Sequence, residues 1–228
     1  MLAARDTGAS MRFNAPAALA TLIAVPALAA PASDADARYQ SLLAAAKAGD
    51  VTIDGWRDLR YAYASTSAYS PEAGAEAKTK MLADFRANNC TGALADAQQV
   101  MEANYVEPDA HLVASVCDDK LGKDEDAKAE LGVGMGLITS IETTGDGLSP
   151  ASAWVVISVG EEYSVLRVKG VAVSQQALIN QDGHSYDQMT TQDDKGASQV
   201  FYFQVDRVLA AEAAELKPGA VSEGGPPR

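Results

Sequence analysis

At Gly145-Asp146-Gly147 the hydrophobic pattern of the chain changes period, and this change narrows the available folds more than any other feature. Upstream, apolar residues recur three and four apart, as one face of a helix requires. Downstream they gather into short β-branched and aromatic runs bounded by turn residues. Two glycines around an aspartate suit a tight turn, because glycine enters positive φ without a Cβ clash. Ser149-Pro150 turns the chain again. The run Trp154 to Val159 is predicted to be a buried strand ended by Gly160. Glu161-Glu162 then open a short helix to Val168, where carboxylates favour the positive end of the helix dipole. The fold class this predicts is α+β, with helices first and a small, mainly antiparallel sheet behind them.

Upstream of the change, six helices are expected. Ser33 to Asp36 resemble a capping box for the first, which Gly49 stops. Asp54 is the expected cap of the second, with Trp56, Leu59 and Tyr63 on its inner face. The others run from Pro71 to Ala87, Gly92 to Asn104, Asp109 to Leu121, and Asp124 to Ile141. The phrase Leu121-Gly122-Lys123-Asp124-Glu125-Asp126-Ala127 resembles the start of a tetratricopeptide repeat helix, so the front is read as tetratricopeptide-like hairpins. Downstream, Val171–Ile179 is strand or mixed, while Ser185–Gln192 and Val200–Val205 are strands around an Asp193-Asp194-Lys195-Gly196 hairpin turn. The expected boundaries are 1–30 signal segment, 31–142 helical region, 143–209 small α+β region and 210–228 a partly disordered tail. A sheet segment of roughly 60 residues is marginal alone, so it is expected to pack on the helices as one unit.

Residues 1–30 read as an export signal, with Arg12 before an alanine-rich apolar run from Ala15 to Leu28, and Ala27-Leu28-Ala29 as a cleavage site. Translation from Met1 or from Met11 is compatible with this pattern. The run is too short and alanine-rich for a strong membrane span. The expectation is a soluble periplasmic or secreted protein with no membrane insertion after cleavage. In that compartment Cys90 and Cys117 can form a disulfide, although their spacing does not require one. A net charge of −13 argues against nucleic acid or anionic lipid as partner.

The most chemically mixed cluster is Gly183-His184-Ser185-Tyr186-Asp187. In a strand His184 and Tyr186 share one face and Asp187 takes the other, which argues against a local triad and for a buried Tyr–His hydrogen-bonded pair. Too few ligands accompany His184 for a metal site. Adjacent Glu161 and Glu162 point about 100° apart on a helix, so a charged first turn with Tyr163 buried is favoured over an acid–base pair. Gly132, Gly134 and Gly136 lack the Lys-Ser/Thr of a phosphate loop and are read as close helix contacts or a break. His111 is expected to pack on the preceding helix. Trp56 and Tyr63 are expected in the core, with Tyr61 at the surface.

A set of pieces spread along the chain carries a resemblance. They are Gly49-Asp50, Ile53-Asp54, Leu59-Arg60, Tyr63, Tyr69 with Pro71, Asp109-Ala110-His111, Leu121-Gly122, Gly145-Asp146-Gly147, Glu161-Glu162-Tyr163, Gly183 to Asp187, and Tyr202-Phe203. In this order the chain resembles a bacterial family of exported or surface-associated proteins defined only as a domain of unknown function. The resemblance implies a helical, repeat-like front with a small sheet behind it, and implies no activity.

The expected role is therefore a protein- or peptide-binding or scaffold module, using a groove between helices and sheet, with no cofactor and no metal. The candidate binding residues are Asp146, Glu162, Tyr163, His184, Tyr186 and Asp187. An inhibitor or immunity-type protein facing a basic partner is the alternative. A hydrolase is a further one, and it requires Asp146, Glu162, His184 and Asp187 to converge in one cleft.

Overall fold

Side-chain caps mark where five of the eight helices in the described residues begin. The computed structural model describes residues 33–49 and 51–216, so the expected signal segment and the last part of the expected tail lie outside the described residues. Helix α1 (Asp34–Lys47) starts at a capping box: the Ser33 hydroxyl accepts from the Asp36 amide at 3.1 Å, and the Asp36 carboxylate accepts from the Ser33 amide at 3.2 Å. These bonds occupy backbone donors that a helix start leaves free. Helix α2 (Ile53–Tyr63) is capped by Thr52 instead of the expected Asp54, because the Thr52 hydroxyl accepts from Gly55 N–H at 3.2 Å. Helix α3 (Ala75–Arg86) begins later than Pro71, after a turn closed by Gly74 at φ +80°. Helices α4 (Cys90–Ala103), α5 (Pro108–Lys120) and α6 (Asp124–Glu142) follow close to their expected bounds.

The sheet has the order β1-β4-β3-β2. Strands β2 (Ala172–Gln181), β3 (His184–Gln192) and β4 (Ser198–Gln204) form an antiparallel meander, and β1 (Trp154–Val155) adds parallel to β4. The expected strand Trp154–Val159 is thus only two residues long. Its continuation is diverted because the Ile157 amide donates to the Glu161 carboxylate at 2.9 Å, and Ser158 caps α7 (Val159–Val168) at the Glu161 amide. After β4 the chain forms α8 (Asp206–Glu215), where the sequence placed a tail from residue 210; burial of Val208 against the sheet core holds it.

Three apolar clusters support this α+β arrangement of eight helices and four strands among the described residues. Met81, Ala93, Ala97, Val100, Ala110 and Val113 pack α3, α4 and α5 around Cys90 and Cys117, which are paired as a disulfide with Cα atoms 5.0 Å apart. Tyr39, Trp56, Leu59 and Tyr63 join α1 and α2 to Leu137 of α6 and to Ile157. Ile138, the next residue of α6, and Ile141, one turn beyond Leu137, enter the sheet core with Trp154, Leu166, Met189 and Phe203. Helix α6 therefore serves both halves. Among the described residues no helix is long and apolar enough to cross a membrane.

Candidate functional site

A concavity lies between helices, on the side of α6 that faces α1 and α2. Its volume is about 910 Å³, and Tyr39, Trp56, Tyr63 and Tyr105 line it together with Leu43 and Val133. Each ring comes from where a short-range rule places it: Tyr39 from α1, Trp56 and Tyr63 from α2, Tyr105 from the α4–α5 turn. Tyr39 and Tyr63 stand 5.5 Å apart between centroids, tilted by 46°, and Tyr69 meets Tyr63 edge-on. Burial pushes the Tyr39 and Tyr63 hydroxyls up to about 12, so both rings stay neutral.

Helix α6 makes room for this wall through its glycines. A Cβ at Gly136 would collide with the Trp56 indole, and one at Gly134 would meet Leu112 at 2.8 Å. The expected close contacts are therefore real, and the helix runs unbroken through them. Gly132 faces open space along the groove. Asp36, Glu102, Glu130, Lys47 and Lys128 bring both charge signs to the lining, and the Lys47 ammonium stands 5.2 Å over the Tyr105 ring. His111 is buried behind that ring, with Nδ1 2.6 Å from Glu130 and Nε2 2.7 Å from the Tyr105 carbonyl. It packs on the preceding turn, and both ring nitrogens are occupied.

The junction of helices and sheet is instead filled by charge. Arg60 of α2 is fully buried and grips Glu161 of α7 with a two-pronged contact, Nε to Oε1 at 2.7 Å and Nη2 to Oε2 at 2.6 Å. Its remaining donors reach the Val155 carbonyl at 3.0 Å and the Ser140 hydroxyl at 3.4 Å. Nearby, Lys78 of α3 bridges Glu107 and Asp109 at 2.8 and 3.0 Å, and Arg167 of α7 forks onto Asp109. Burial drives Glu107 above the usual carboxylate range. Burial also opposes the charge on Asp109, but Lys78 and Arg167 outweigh it and hold this group below that range. A Cβ at Gly160 would stand 2.6 Å from the Glu107 carboxylate and 2.8 Å from the Lys78 ammonium, so any larger residue there would displace this ion pair. The cavity left at this junction is about 340 Å³, smaller than the groove between helices.

A family model described as a domain of unknown function, DUF4919, matches residues 31–214. The chain belongs to the DUF4919 family. No curated protein and no solved structure matches the chain. The DUF4919 match covers the helices, the sheet and nearly all of α8, so the groove and the charged junction are both parts of the family domain.

Within the DUF4919 domain the residues singled out from sequence go to three places. Glu162 and Asp187 meet in the interior, and burial followed by the Asp187 charge pushes Glu162 up to about 9. Neither Glu162 oxygen accepts a hydrogen bond from the protein. Tyr163 donates to Gln176 at 3.1 Å, and Gln176 donates to Asp187 at 2.7 Å, so three of the candidates form one chain of contacts. The expected charged turn with a buried tyrosine is reversed: Glu161 and Glu162 are buried and Tyr163 is 37% exposed. Arg60 draws Glu161 inward, and the helical step then turns Tyr163 outward.

Asp146 sits in the exposed turn, accepting from Ser152 at 2.5 Å and from Leu148 N–H at 2.9 Å. His184 lies at the start of β3, half-exposed, with Nδ1 2.6 Å from Asp206. It meets the buried Tyr186 edge-on at 6.3 Å instead of forming the expected hydrogen-bonded pair, because α8 brings Asp206 to it. The sequence reading missed Tyr39, Tyr105, Lys78 and Glu107. All four lie on or beside helices whose inner faces look like ordinary core.

Proposed function

We propose that this DUF4919 protein is an exported binding module that holds an extended peptide or protein segment in the groove between α1, α2 and α6. The observation that carries this is the groove itself, about 910 Å³ and walled by four aromatic rings from three separate elements. A volume of that order is what ligand sites of globular proteins offer. Tyr39, Trp56 and Tyr63 are buried and give the groove a firm apolar backing, Tyr105 is half-buried, and a lining of both charge signs suits the mixed polarity of a peptide. The helical hairpins, tetratricopeptide-like in this reading, supply contact surface instead of reactive groups. His111, the histidine beside the groove, has both ring nitrogens engaged, which favours binding over catalysis. Export rests on the charged, apolar and small-residue succession in residues 1–30.

Panning a display library of random peptides, roughly twelve residues long and so within the reach of an extended chain across several helices, tests this. Enriched peptides should bind the wild-type protein and lose affinity about tenfold or more for Gly132→Trp, which places a ring in the groove from a position with open space around it. Absence of enrichment, or peptides that bind both proteins equally, refutes the assignment.

A further inference from the structure

The two edges of the sheet are built differently. One ends in β1, two residues long and followed within a few residues by α7, and offers a neighbouring strand very little to pair with. The other ends in β2, ten residues long, whose far side from β3 is a row of backbone N–H and C=O groups. Among the described residues, no backbone hydrogen bond outside the β2–β3 ladder ends on residues 172–181. Most β2 side chains are exposed, Leu178 at 54%.

Proteins ordinarily blunt such an edge with charges, proline, bulges or short length. Strand β2 reads Ala-Val-Ser-Gln-Gln-Ala-Leu-Ile-Asn-Gln and contains neither a charged residue nor a proline. Its one irregularity is the register shift between Val173 and Gln175, after which Gln176 to Gln181 pair without interruption against Met189 to His184.

The absence of charge selects the occupant. The chain has 31 acidic and 18 basic residues, so a strand made for a basic partner had carboxylates available. In a two-fold antiparallel pairing residue i meets residue j of the other copy and j meets i, so charges of a single sign on the strand would face their own kind. Like charges directly opposite one another are destabilising, and β2 carries none. Its polar residues Ser174, Gln175, Gln176, Asn180 and Gln181 are all neutral; Gln176 is held by Tyr163 and Asp187, while the exposed Gln175 and Gln181 carry amides that both donate and accept and so complement themselves. We propose that β2 pairs antiparallel with β2 of a second copy across a two-fold axis, joining two four-stranded sheets into one of eight strands.

Sedimentation equilibrium of the full chain tests this. Each copy carries a net charge of −13, so screening should tighten the dimer severalfold between about 50 and about 500 mM sodium chloride. Gln175→Glu with Ala177→Glu adds charge midway along β2, opposite Thr190 and Gln188, and should weaken dimerisation about tenfold or more with an unchanged far-ultraviolet circular dichroism spectrum. Mixing that variant with Gln175→Lys/Ala177→Lys should restore dimers, which only apposed strands explain. Hydrogen exchange on the wild-type chain reads the same edge without substitution: β2 amides should gain protection as protein concentration rises. A wild-type chain monomeric at millimolar concentration in both salts, a dimer indifferent to the glutamates, or β2 protection independent of concentration overturns the proposal.

Discussion

Replacing Glu162 by glutamine should stabilise the protein at neutral pH, and increasingly so as pH rises. Both Glu162 oxygens are buried without a donor, with the Asp187 carboxylate as neighbour, and the group titrates at about 9 instead of its ordinary 4.5. The native state therefore keeps this proton where the unfolded chain has lost it. Stability contributed by the protonated form is fully present below pH 4.5 and drains away as pH rises toward 9. The slope is about 1.4 kcal/mol per pH unit, so the loss between pH 4.5 and neutrality is about 3 kcal/mol. Glutamine keeps the shape and a donor for Asp187 and has no proton to lose. Urea unfolding of both proteins at about pH 5, 6, 7 and 8 should show E162Q gaining on the wild type by about 1.4 kcal/mol per unit. Parallel stability curves, or a wild type that overtakes the variant at high pH, would refute the account of a buried, protonated carboxyl.

Removing Arg60 as R60M leaves Glu161 buried and unpaired, and should cost about 3–5 kcal/mol in chemical denaturation, with R60M/E161L more stable than R60M. The C90S/C117S variant loses a cross-link closing 27 residues, worth about 3.5 kcal/mol by loop entropy, measured as a shift in the denaturation midpoint. G136A drives a methyl group into the Trp56 indole and should lose about 1–3 kcal/mol with a change in tryptophan emission, whereas G132A, facing open space, should gain up to about 1 kcal/mol from helix propensity.

Most of the architecture was legible because it rests on local rules. Period, capping residues and turn glycines located the helices, and the Asp193–Gly196 turn with its flanking runs located two strands of the meander. What escaped depended on partners distant in sequence. The apolar run Trp154–Val159 was legible as buried, but not as a two-residue strand breaking into a helix, because the break follows from Glu161 turning inward to Arg60. Helix α8 was hidden in an alanine-rich segment whose single buried anchor is Val208. Tyr39 and Tyr105 have the spacing and composition of core residues, and only the positions of α1 and α6 turn them into the walls of a groove. The chemically mixed His184 cluster drew notice through its residue types, yet its local partner is Asp206, supplied by the unforeseen helix.

The Arg60–Glu161 contact spans 101 residues of chain. Arg60 is fully buried, and without this carboxylate its guanidinium would be an uncompensated charge in the interior. The core of the helical half is therefore electrostatically complete only with α7 in place, and neither half is a self-sufficient unit.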